Sequence, residues 1–117
     1  MSVILGSGAF RYRVAECWAN IPDGWELKDV AAVGVDSKDQ VYVFNRGEHP
    51  MIVFDRDGKF LRSWGEGLFK RAHGILIDRE DNLYCGTRHG EIIRFFAPDY
   101  KRSEVFAHTG GFPLGLA

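Results

Sequence analysis

The sequence predicts an all-β protein built from a repeated four-stranded unit, and three observations carry that prediction. Short apolar alternating runs, broken by Gly, Asp and Asn, recur along the chain, and no stretch has the period of a long amphipathic helix. Shifted by 42 residues, the chain falls onto itself: "VGVDSKDQVYVFNR" (33–46) lies over "ILIDREDNLYCGTR" (75–88). Asp36, Asp39, Tyr42 and Arg46 then meet Asp78, Asp81, Tyr84 and Arg88. A period of about 40–50 residues made of short strands marks a propeller blade. The expected fold is therefore a partial β-propeller of about two complete blades plus flanking strands, all within one domain over 1–117.

The elements follow in order. "FRYRVAECW" alternates and reads as a lone outer-type strand within 10–20, followed by the connection "NIPDGWELKD". The first blade (30–65) divides into strands over 30–35, 40–45, 51–55 and 59–65. The second (75–108) divides into 75–78, 82–86, 91–97 and 103–108. "DSKD" and "DRED" supply Asx-type turns, and "DRDGK" a Gly-ended turn. On this reading Asp36, Asp39, Asp78 and Asp81 are turn caps despite their calcium-like pairing. Trp64, Phe54, Phe96 and Phe106 are expected in the core between blades. Gly115-Leu116-Ala117 matches Gly74-Ile75-Leu76, so 112–117 reads as the start of a further blade.

Composition bounds the function. The chain has 117 residues, 45% hydrophobic and 26% charged, with 15 basic against 16 acidic residues. That balance is of a soluble globular protein and argues against a nucleic-acid partner, which wants a basic face. No apolar run approaches the roughly 18 residues of a membrane span, and "MSVILGSGAF" lacks the basic start of a signal peptide. Cys17 and Cys85 have no CxxC spacing and read as free thiols of a cytoplasmic protein. Two blades and a loose strand leave apolar faces and edges bare. Self-association is therefore expected, three chains giving six blades, unless the missing blades belong to a longer chain.

In a four-stranded blade, the loop from strand two to three opens on the same side as the entry to strand one. Arg46, Glu48 and His49 lie in the first kind of loop, as do Arg88 and His89, while His73 and His108 lie at the second kind. This gathers histidines and two arginines around one mouth, a common place for a small-molecule or peptide ligand. Arg46 and Arg88 suit a carboxylate clamp, by their planar guanidinium forks, or else pair with acids of a neighbouring blade. Glu48 and His49 read as loop surface or as support for such a site, and His89 and His108 as exposed loop residues of the same face. One histidine is no zinc site, since at least three protein ligands are needed. No GxSxG, Walker-type loop or Cys/His nucleophile pair is present.

"VGVDSKDQVYVFNRGEHPMIVFDRDGKFLRSWGEGLFKRAHGILIDREDNLYC" (33–85) resembles an NHL-repeat six-bladed propeller, above all the lyase domain of peptidylglycine alpha-amidating enzymes. That family carries an "RGDH"-like loop and, further on, "PHGL" at a blade entrance; here they stand as "RGEH" and "AHGI". The tail "YCGTRHGEIIRFFAPDYKRSEVFAHTGGFPLGLA" (84–117) is similar to gluconolactonase and strictosidine-synthase-like propellers. The lyase resemblance implies a zinc-binding role for His73, an active-site role for Arg46, and calcium-binding backbone carbonyls at Val33 and Ile75. The family's other two zinc histidines, its tyrosine and its calcium aspartate belong to blades absent here, and the lactonase metal ligands are absent as well. The expected function is thus an NHL-type module that binds a ligand or a protein. The alternatives are a metal-dependent peptidyl-alpha-hydroxyglycine lyase assembled from several chains and a gluconolactonase-like hydrolase.

Overall fold

A computed structural model describes residues 3–87 and 90–108. Among them every regular element is a strand, and no helix is long and apolar enough to cross a membrane. β1 (Ile4–Ser7) and β2 (Phe10–Arg13) form a hairpin. β3 (Val30–Val35), β4 (Val41–Asn45), β5 (Met51–Phe54) and β6 (Phe60–Trp64) form one four-stranded antiparallel sheet in sequential order. β7 (Ala72–Ile77), β8 (Leu83–Thr87), β9 (Glu91–Phe95) and β10 (Ser103–His108) form a second of the same topology.

The internal repeat is written into local structure. Asp36 Oδ1 accepts from the amides of Lys38 and Gln40, both at 2.9 Å. Asp78 Oδ1 accepts from those of Glu80 and Asn82, at 3.0 and 2.9 Å. Asp39 and Asp81 close the two turns in the left-handed region, at φ +59° and +64°, which aspartate tolerates. Asp36 and Asp78 are turn caps, whereas the Asp81 carboxylate reaches to the other turn and accepts from the Ser37 amide and hydroxyl. The first strand of each sheet also bulges at one place, around Ala31 in β3 and His73 in β7.

The two sheets stack face to face. Tyr42, Phe44, Met51 and Val53 meet Leu83, Cys85 and Phe95 in one buried cluster. Trp64 lies parallel to Tyr100 at 5.7 Å, and Phe69 packs its edge on Phe44 at 4.7 Å. Gly34 lets β3 approach β7, since a Cβ there would stand 3.0 Å from Ile77 Cδ1.

The opposite face of the first sheet is covered by its own chain. Val43, Ile52 and Phe54 are buried against Trp18, Ala19, Ile21, Trp25 and Leu27. Trp18 Nε1 donates to the Arg56 carbonyl at 3.1 Å, and the Asn20 amide to that of Gly58 at 2.9 Å. Residues 18–27 thus clasp the β5–β6 turn and roof the sheet.

This changes several expectations. The segment 10–20 is not a lone strand: strand geometry ends at Arg13, and β2 pairs with β1 because the chain turns back at Gly8, at φ +60°. The hairpin's residues are all exposed. Phe54 is fully buried, but under residues 18–27 and not between the sheets. Phe95, not Phe96, enters the inter-sheet core. The reason is register: Phe54 pairs with Val41 and Phe95 with Leu83, so β9 sits one residue earlier than the 42-residue shift implies. Phe106 lies on the outer face of the second sheet, 52% exposed. The expected blade start at 112–117 lies outside the described residues.

Candidate functional site

The mouth between the sheets is organised by the β4–β5 loop. Asn45, the last residue of β4, is wholly buried and holds the loop from beneath. Its Nδ2 donates to the His49 carbonyl at 2.8 Å, and its Oδ1 accepts from the Gly47 amide at 2.8 Å. Residue 47 must be glycine for this, because a Cβ would stand 2.8 Å from that same oxygen.

Arg46 is fixed at both ends. Its amide donates to the Lys28 carbonyl at 2.8 Å, and its Nε donates to the Ala72 carbonyl at 3.0 Å, at the start of β7. No ion pair engages its guanidinium among the described residues. Its position joins two clefts. One, of about 660 Å³, is lined by Trp25, Glu26, Lys28, Arg46, Glu48 and His49. The other, of about 490 Å³, includes Lys28, Asp29, Arg46, Pro50, Phe69 and Arg71. Three cations and three carboxylates thus face the two spaces. Arg71 has φ +129° at this mouth, a costly conformation for a residue with a Cβ.

His49 is not a free surface residue. Its ring lies parallel to that of Trp25, with centroids 3.5 Å apart and 9° between planes. Its Nδ1 stands 3.2 Å from Glu66 Oε1. A backbone hydrogen bond at Glu66 itself, and then His49, hold the Glu66 carboxyl below the ordinary carboxylate range.

The remaining expected residues do not join this cluster. His73 is partly buried in the β7 bulge and lines neither cleft. His108 ends β10 opposite Glu91, exposed. Arg88 and His89 lie outside the described residues. Val33 and Ile75 hold equivalent places on β3 and β7, paired with Val43 and Cys85. Among the described residues no three His, Cys, Asp or Glu side chains converge on a metal. Cys85 is buried, which pushes its thiol well above the ordinary range and leaves it inert; Cys17 is exposed.

Sequence reasoning missed Trp25, Lys28, Glu66 and Arg71. Only Trp25 left a signal, as an aromatic residue within an otherwise polar connection. No family model matches the chain, and no curated protein matches it either.

Proposed function

We propose that the chain is a ligand-binding module of NHL-propeller type, taking a carboxylate-bearing small molecule or peptide at Arg46. The observation that carries this is the anchored guanidinium: Nε is spent on Ala72, and no carboxylate of the described residues is paired with the Nη groups. A guanidinium held by one edge presents the other as a preset fork for a carboxylate. Lys28 and Arg71 add positive charge to the same mouth. The test is calorimetric titration with hippurate, an acylated glycine. Loss of one charged hydrogen-bond pair, about 1.5–3 kcal/mol, lowers affinity at least about tenfold in Arg46→Ala. Equal affinity in both proteins would falsify the reading.

The lyase-like alternative needs metal ligands from other chains or other blades, and glyoxylate release from a peptidyl-alpha-hydroxyglycine tests it directly. Self-association is supported by one specific feature: the outer face of the second sheet exposes Leu76 and Phe106 beside Tyr84, in a row shared with the Arg94–Glu104 ion pair. In this reading the two sheets are two blades and three chains complete six. Light scattering after size exclusion checks that stoichiometry.

A further inference from the structure

We propose that His49 is a proton-operated latch on the Arg46 cleft, engaged when its ring is protonated and released when the ring is neutral. The proposal concerns regulation of the cleft and rests on the carboxylate-binding reading for what the cleft takes. The latch itself is a property of the ligand-free protein.

Three connections that are distant in sequence meet at this one imidazole. Trp25 comes from the segment that roofs the first sheet, Glu66 from the β6–β7 connection, and His49 from the loop that carries Arg46. With the ring neutral, these contacts are a plain stack and a single hydrogen bond. With the ring protonated, the stack becomes a cation on an indole face and the hydrogen bond becomes charge-assisted. Both contacts strengthen with the same proton. Asn45 fixes the His49 carbonyl to β4, so the freedom that the proton controls is that of the ring, which itself lines the cleft.

The surrounding charges are mixed. Arg46 and Glu48 come from the same loop, Glu26 and Lys28 from the roof segment, and Glu66 from the third connection, itself near Ser63 Oγ at 3.5 Å. Three carboxylates and two cations thus come from the elements that meet at the cleft, and of these Glu66 touches the ring. Glu66 is held below the ordinary carboxylate range, so it is already ionised throughout the interval of about pH 5–8 in which imidazole titrates. The stabilisation from the imidazolium is present at the lower end of that interval and lost toward the upper end. It is lost again in stronger acid, once Glu66 takes up a proton.

The test is indole emission of the whole ligand-free chain across that interval, because an imidazolium stacked on indole quenches it. Emission is expected to rise with pH in a single one-proton step. The step is lost in His49→Gln and in Trp25→Phe, moves to lower pH in Glu66→Gln, and persists in Arg46→Ala. A flat wild-type curve, or a step surviving in His49→Gln, overturns the latch. Should His49→Gln fail to fold, magnetic resonance of the wild type decides. The Trp25 indole proton is expected to shift with the midpoint of the His49 ring, and an indole proton that does not move refutes the idea. Hippurate that binds at no pH overturns the carboxylate reading, whereas the indole step decides the latch alone.

Discussion

Arg46 donates its Nε to the carbonyl of Ala72 at 3.0 Å, so the β4–β5 loop of one sheet is fastened to the strand that opens the next. The same residue joins two clefts and ties two sheets, and these roles separate experimentally. Arg46→Ala removes one part-buried hydrogen bond and is expected to cost about 1 kcal/mol in urea denaturation. A cost near zero would place the sheet-to-sheet tie elsewhere.

At the far end of β4 stands a second hub. The Tyr42 hydroxyl donates to Asp36 Oδ2 at 3.0 Å, lies 3.2 Å from the Tyr100 hydroxyl, and accepts from Arg62 Nη2 at 3.1 Å. Tyr42→Phe leaves buried Asp36 without one donor, and a loss of about 1–3 kcal/mol is expected by the same denaturation assay.

Burial, then the hydrogen bond with Tyr100, pushes the Tyr42 hydroxyl far above its ordinary value; burial also raises Tyr100. The folded state therefore keeps a proton that the unfolded state releases above about pH 10. Stability from this pair is complete below that pH and is lost as pH rises beyond it. Alkaline unfolding followed by far-ultraviolet dichroism is expected to depend less steeply on pH in Tyr42→Phe than in the wild type.

Gly58 tests the roof. It has φ +87°, and a Cβ there would overlap the Trp18 carbonyl oxygen. Gly58→Ala is expected to cost more than the roughly 1–2 kcal/mol of a left-handed alanine, because residues 18–20 must also move. Trp emission should report that movement. Gly8→Ala meets nothing within 4 Å at φ +60°, and its effect should stay within the hairpin.

The hairpin presents Val3, Leu5, Phe10, Tyr12 and Val14 together on one face, with Phe10 72% and Tyr12 64% exposed. None of these residues enters either buried cluster. Deleting residues 1–13 is expected to change the denaturation free energy by no more than about 0.5 kcal/mol. It should also reduce light scattering at high concentration.

The repeat made the sheets legible. Alternation, turn chemistry and the 42-residue shift placed the eight strands of the two sheets, but β7 begins at Ala72, not at residue 75, and so takes in His73, expected in the loop before it. The repeat could not tell which faces are covered, because alternation assigns a side chain to a side of a sheet and says nothing of what lies against it. Hence Phe54 and Phe106, both read as lying between blades, ended one beneath residues 18–27 and the other half in water. Nor could it find the Trp25–His49–Glu66 cluster: its members sit in three irregular connections, where no period links positions in sequence to positions in space. The glycines of the hairpin were visible, but one alternating run looked complete without a partner.

The roof over the first sheet gives the stack a direction. Its first face is sealed by the chain's own tryptophans, while its last presents Tyr84, Arg94 and Phe106 without such a seal among the described residues. The two ends of the stack are therefore chemically unlike, one a finished apolar pack and the other an arginine held over aromatic rings.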